Sequence, residues 1–446
     1  MADARTLAVD VVLACALDDA YANLLLPARL RESNIVGRDA ALATELTYGT
    51  LRWQGSYDII ISSVAGRALS DIDAGVLATL RVGAHQLLNM RIPAHAAVNE
   101  TITAARPFIT RSSTGFINAI LRRVSERTLD QWCEFIDRDN SDSLDPLRSG
   151  HPEWIIRALA SSLRHEGRES ELEALLIADN SQPKVNLVDL TSQPLDNPPE
   201  GTPDHYSRRG IVAHAGDPQQ FERVRKNLVR VQDEGSQLVA EAFAAAAPGV
   251  TWLDMCAGPG GKAALLARIA QERGVQLVAN EVSPHRADLV RQALSQFPEV
   301  EVRVSDGRNF GIEQPHSFDA ILLDAPCTGL GALRRRPESR WRKQPADVPD
   351  LAQLQEQLLD SACAALRPGG VVGYVTCSPH TAETHAVVQR TLSRHPEMSE
   401  ISAKDAIREI AREPIDLAGA DERAQLWPHR HGTDAMFLAL LQKSAQ

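Results

Sequence analysis

The sequence predicts an all-α N-terminal domain and an α/β C-terminal domain with a Rossmann-like, doubly wound sheet, joined by a small mixed linker domain. Three observations lead there. Residues 1–137 carry apolar side chains at helical spacing and show no alternation of period two. From about residue 231, five apolar runs of strand length are separated mostly by helical sequence, which argues a parallel sheet. Between the two lie "RDNSDSLDPLRSGHP", residues 138–152, polar and rich in turn formers. A chain of 446 residues also exceeds one ordinary core. The expected domains are 1–140, 141–230 and 231–446.

Within the N-terminal section, "GVLATLRVGAHQLLNM" places Leu77, Leu80, Ala84, Leu87 and Leu88 on one face. "GFINAILRRV" does the same with Ile117, Ile120, Leu121 and Val124. Pro93 and Pro107 bracket a third helix. In the middle section, helical stretches over 153–163 and 168–178 precede the strand-like "VNLVDL" and "IVAHA". In the C-terminal section the strands are 250–256, 275–281, 300–306, 318–324 and 371–377.

No run of 18 apolar residues exists, so nothing in the sequence reads as a membrane span. The N-terminus carries acids where a secretion signal needs basic residues, and a cytoplasmic protein is expected. Six cysteines are scattered without a C-x-x-C pair or zinc spacing, so neither disulfides nor a metal is expected. Cys15, Cys133 and Cys363 read as small buried hydrophobes. The net charge of −11 argues weakly against a polyanionic partner, but clustered basic residues can override it.

Four of the five strands carry an acid at or near their ends: Asp254, Glu281, Asp306 and Asp324. Ligands of open α/β sheets sit at the carboxyl ends of the strands. Acids there suit hydroxyls, amines or a cation better than phosphate. The loop "CAGPGGKAA" fails the Walker A pattern at Cys256 and Ala263. Gly258, Gly260 and Ala263 do satisfy G-x-G-x-x-A, with Glu281 beyond them at the second strand end. Glu281 would bind ribose hydroxyls and Asp306 an adenine amino group. That describes S-adenosylmethionine at least as well as a nicotinamide dinucleotide.

Two cysteines end neighbouring strands. Cys377 precedes Ser378, a good N-cap, and Pro379, a favoured first helical residue, so a helix N-terminus is expected behind its thiol. Cys327 follows Asp324 past the fourth strand. A thiolate, a carboxylate and a methyl donor together suit methylation at carbon 5 of cytosine, because thiolate addition at carbon 6 makes carbon 5 nucleophilic. The cluster "LRRRPESRWRK" offers Arg334, Arg335, Arg336, Arg340 and Arg342 for phosphates and Trp341 for stacking.

These residues resemble a known family. "QDEGSQ", "DMCAGPGGK", "DAPCTGLG", "LRPGGVVGYVTCS" and "HGTDAMF" are similar to the RNA 5-methylcytosine methyltransferases, in the family's order over 231–446. "ALATELTYGTLRW", "IPAHAAVNE" and "GFINAILRR" resemble a NusB-like domain, and the pairing is similar to the Sun/RsmB type. The resemblance implies a class I methyltransferase sheet, S-adenosylmethionine as cofactor and an RNA substrate, 16S rRNA first, with tRNA or another RNA as the alternative. It implies Cys377 as nucleophile and Cys327 as the residue assisting product release. Asp324 anchors the ring in the same picture. Cofactor contacts map to Cys256, Ala257, Gly258, Pro259, Gly260, Gly261, Lys262, Glu281, Asp306 and Asp324. The N-terminal domain becomes an RNA-binding accessory domain, in a chain expected to be a monomer. Departures from the family pattern are Gly258, Ala263 and Ala435, all small. Two rivals stand: an NAD-dependent oxidoreductase, which leaves both cysteines unexplained, and a non-catalytic, antitermination-like RNA-binding factor.

Overall fold

The structure, a computed structural model, describes residues 3–18, 20–136, 145–214 and 216–445. The N-terminal region is helical: α1 (Ala4–Leu17), α2 (Ala22–Glu32), α3 (Gly37–Arg52), α4 (Gln54–Ala65), α5 (Ala74–Leu88), α6 (Ala94–Ala104), α7 (Ser113–Val124) and α8 (Leu129–Ile136). Asp3 and Asp73 cap α1 and α5 through their carboxylates, supplying acceptors for first-turn amides. The faces read from the sequence are buried: Leu80, Ala84, Ile117, Ile120, Leu121 and Val124 share one apolar cluster with Tyr57 and Ile60.

Residues 138–144 of the expected linker lie outside the described residues. Its remainder is packed rather than loose. Asp145 caps α9 (Pro146–Ser149), and Leu147 and His151 are buried.

Next come α10 (Glu153–His165) and α11 (Leu172–Asp179), then β1 (Asn186–Asp189), β2 (Gly201–Pro203), β3 (Gly210–Ala213), α12 (Glu222–Arg225) and β4 (Val229–Val231). These four strands form an antiparallel sheet of order β2-β3-β1-β4. The remaining elements are α13 (Glu234–Ala246), β5 (Thr251–Asp254), α14 (Gly261–Arg273), β6 (Gln276–Asn280), α15 (Pro284–Ala293), β7 (Glu301–Arg303), α16 (Phe310–Glu313), β8 (Phe318–Asp324), α17 (Ser339–Arg342), α18 (Asp347–Ala365), β9 (Leu366–Thr376), α19 (His385–Arg394), β10 (Met398–Ile401), α20 (Ala403–Ile410), β11 (Ala424–Gln425), α21 (Pro428–His431) and β12 (Phe437–Lys443).

The large sheet runs β10-β12-β9-β8-β5-β6-β7, with β11 on β12. Strands β5 to β9 are parallel, and β12 lies antiparallel to β9. Period-two alternation divides β8 between two cores. Ala320 and Leu322 join Phe243, Leu265 and Val290 on one face, while Ile321 and Leu323 join Leu358, Leu359 and Val387 on the other. Helices therefore cover both faces, as a doubly wound sheet requires. Strand order reverses between β5 and β8, which opens a crevice at their carboxyl ends.

Contacts divide the chain into two units: 1–157 with 176–182 and 333–343, and 158–175 with 183–332 and 344–446. The small antiparallel sheet belongs to the second unit. Among the described residues no helix is long and apolar enough to cross a membrane.

Candidate active site

The site is built at the carboxyl ends of β5, β8 and β9. Register aligns Asp254 with Leu322 and Asp324 with Val375, so the loops after these strands start side by side. The loop after β5 enters α14 through Gly260, whose φ is +105°. A Cβ there would lie 2.5 Å from the Ala293 Cβ, so only glycine lets α14 and α15 approach.

Glu281 follows β6 and is 2% exposed. One of its oxygens accepts from the Gly258 amide at 3.1 Å and the other from the Ser283 amide at 3.0 Å. It thus shapes the glycine loop. Asp306 follows β7 and is turned onto its own loop, where the Arg308 guanidinium engages both oxygens at 2.6–3.1 Å. That hydrogen bonding holds its carboxyl below the usual range.

Lys262 donates to Asp324 Oδ2 at 2.8 Å. Burial pulls the Lys262 pKa down, but the charge and hydrogen bond of Asp324, then the charges of Cys377 and Asp254, outweigh it and leave it raised. Asp254 is fully buried, and neither of its oxygens has a hydrogen bond of normal geometry. Burial and the adjacent Asp324 push its carboxyl up to about 8 against the pull of Lys262.

Cys327 and Cys377 come together: their sulfurs are 3.4 Å apart. The hydrogen bond to Cys377, then burial, then the negative charges around it drive the Cys327 pKa well above that of an ordinary thiol.

One expectation is corrected. Ser378 does not cap a helix, because α19 opens only at His385, behind Thr384. The Ser378 hydroxyl is taken by the buried Glu383 carboxylate at 2.6 Å and receives the His380 amide at 3.2 Å. No helix N-terminus stands behind Cys377.

A second correction concerns the basic cluster, which lies in the first unit. Arg340 is fully buried and donates to the carbonyls of Arg52, Gly150 and Asp179 and to Asn180 Oδ1. Arg334 is 6% exposed. The Trp341 indole donates to the Leu51 carbonyl at 3.1 Å, and Arg342 to that of Ala20 at 2.8 Å. Carbonyls left by helix ends and turns need donors, and these side chains supply them rather than reaching outward. Arg336 is exposed and Arg335 half-buried.

Sequence reasoning missed Glu383, which is 0% exposed, and Gln355. Glu383 lies in the turn before α19 and Gln355 on α18, in stretches that carry no motif, and only the fold shows what they touch. Gly331 shows how the distant motifs meet. Its amide donates to the Cys377 carbonyl, and its carbonyl accepts from the Ala435 amide, both at 2.8 Å. A Cβ on Gly331 would fall 2.2 Å from the Ala435 oxygen.

The profile of the 16S rRNA methyltransferase RsmB/F family matches residues 243–442, and that of the NusB family residues 2–126. The protein Rv1407 of Mycobacterium tuberculosis is 46% identical over 99% of this chain and 96% of its own length. The ribosomal RNA small subunit methyltransferase B of Pseudomonas putida is 33% identical over 95% and 94%. The chain belongs to the RsmB/F methyltransferase family.

As an RsmB/F family member it is an S-adenosylmethionine-dependent RNA methyltransferase with a NusB-like N-terminal region. The fold is shared with solved structures: that of PH0851 superposes with a TM-score of 0.79 at 22% identity over 99% of both chains. A methyltransferase homolog protein from Pyrococcus horikoshii gives 0.55 at 22% identity, over 68% of this chain and all of its own. The residues fit the cofactor. The orphaned Asp254 carboxyl leaves its oxygens open to a donor such as an ammonium group, whereas the phosphates of a dinucleotide would meet the carboxylates of Glu281 and Asp324 as like charges.

Proposed function

We propose that the chain transfers the methyl group of S-adenosylmethionine to carbon 5 of a cytosine in RNA, through a covalent bond between Cys377 and carbon 6. The 3.4 Å approach of the Cys327 and Cys377 sulfurs beside Asp324 carries this reading. The substrate proposed is 16S rRNA, in keeping with the small-subunit activity named for the Pseudomonas putida relative.

The cofactor, when bound, supplies an electrophilic methyl group. The Cys377 thiolate adds to carbon 6 and pushes an electron pair onto carbon 5, which takes the methyl. A water molecule then takes the carbon 5 proton, and the electron pair left behind restores the 5,6 double bond and expels the Cys377 thiolate. Cys327 lies next to the carbon–sulfur bond that breaks and assists this release. Lys262 fixes Asp324 through Oδ2, leaving Oδ1 to accept from the exocyclic amine of the base and from N3 once it is protonated in the adduct. A target base in a duplex would have to leave the stack first. The NusB-like region, over residues 1–140, serves as an RNA-binding accessory domain, with Arg335 and Arg336 the surviving phosphate contacts of the basic cluster.

A substitution pair tests the proposal on 16S rRNA from a strain lacking the protein. Cys377→Ala should abolish incorporation of labelled methyl into cytosine. Cys327→Ala should accumulate a protein–RNA adduct that survives denaturing electrophoresis. An adduct formed by Cys377→Ala and not by Cys327→Ala would reverse the two roles.

A further inference from the structure

The mechanism above uses two thiols but leaves unexplained why they stay 3.4 Å apart. They lie on separate loops, after β8 and after β9, and no disulfide joins them. One buried carboxylate ties the loops together. Glu383 Oε1 accepts from the Thr328 amide at 2.8 Å and from Gln355 Nε2 at 3.2 Å. Its Oε2 accepts from the hydroxyls of Thr328 and of Ser378, the latter at 2.6 Å. Thr328 directly follows Cys327, and Ser378 directly follows Cys377. Gln355 extends the grip by donating to the Pro326 carbonyl at 2.7 Å, on the other side of Cys327. The Glu383 carbonyl is itself anchored, accepting from the Tyr374 hydroxyl at 2.6 Å. A fully buried carboxylate is costly unless donors surround it, and here every donor lies on, or reaches, a cysteine loop.

We propose that Glu383 is a positioning residue that sets the spacing of Cys327 and Cys377 by clamping Thr328 and Ser378. Its consequence for catalysis rests on the cytosine reading above, whereas its geometric role does not. Glutamine at position 383 keeps the shape but loses the charge and one acceptor oxygen, so the hydroxyls of Thr328 and Ser378 lose their charge-assisted bonds and must turn to accept instead. The loops then part, and attack and release lose their alignment. A shift of about 1 Å in such a site can cost about 100-fold in rate.

The experiment uses the full-length protein and two readouts. In the first, diamide oxidises neighbouring thiols: each pair gives up two electrons and two protons to the reagent and forms a disulfide, located by peptide mapping. Wild type should form the Cys327–Cys377 bond readily. Glu383→Gln should form it about tenfold more slowly or worse, with S-adenosylmethionine affinity held within about twofold by titration calorimetry. In the second, methyl transfer to 16S rRNA should fall about 100-fold in the same variant. Ser378→Ala removes one strand of the clamp and serves if Glu383→Gln does not fold; it should slow cross-linking with cofactor affinity intact. Cross-linking at the wild-type rate in a folded variant would overturn the proposal. So would a parallel fall of cross-linking, cofactor affinity and melting temperature, which marks a merely structural carboxylate. Wild type that cross-links but methylates no cytosine would sink the cytosine reading and leave the clamp standing.

Discussion

Charge placement around single side chains separates the roles in this site. Lys262 keeps its charge here, because the charge and hydrogen bond of Asp324 outweigh the pull of burial. Asp254 shows the opposite case, a carboxyl kept neutral by burial and by Asp324. In the folded chain it keeps its proton up to about pH 8, whereas an unfolded aspartate releases it near pH 4. The folded state thus binds more protons between those values, so stability falls as pH rises, by up to about 1.4 kcal/mol per pH unit from this group. Asp254→Asn should flatten that slope, which melting curves from pH 5 to 8 would show; an unchanged slope would mean that Asp254 is ionised in the fold.

Helix and strand ends decide which residues reach the site. Gly260 is the clearest instance, since its φ of +105° and the Ala293 contact both exclude a side chain. Gly260→Ala should cost about 1–3 kcal/mol of stability through backbone strain alone. It should also weaken S-adenosylmethionine binding, because the loop from Cys256 to Gly261 would move with it. Denaturant unfolding and calorimetric titration of the variant check both effects. Retained affinity with lost stability would place the cofactor off this loop. The strand expected over 300–306 is shorter than expected for a related reason. β7 is an edge strand, and the Asp306 carboxylate caps the turn that takes the chain out of the sheet.

At the scale of the whole chain, the arginine-rich segment after β8 divides into buried and exposed residues. Arg340 fills a fully buried position in the first unit, where it satisfies three carbonyls and one amide oxygen. Arg340→Met should cost at least ~3 kcal/mol, because it strands those acceptors without water. Equilibrium unfolding measures that loss, and a cost below ~1 kcal/mol would refute the structural role. Arg336, exposed on the same segment, should behave differently. Arg336→Ala should leave stability within about 0.5 kcal/mol and reduce the salt dependence of RNA binding by about one unit of slope. Binding curves at several salt concentrations decide it.

Local pattern in the sequence was enough to determine the helical N-terminal region, the five parallel strands and the residues at their carboxyl ends. Apolar periodicity reports which face is buried, and strand–helix alternation leaves few topologies. The C-terminal strands β10, β11 and β12 were not legible; β10 and β11 span only four and two residues, too short for a periodic signal. Tertiary structure alone decided which side chains meet. "TCSP" carries every local sign of a helix start, yet the buried Glu383 takes the Ser378 hydroxyl and delays the helix to His385. "RRRPESRWR" reads as a surface patch, yet Arg340 is drawn inward by carbonyls supplied from three distant segments. Hydrogen-bond demand inside a fold is a property of the assembled chain, and no window of sequence contains it.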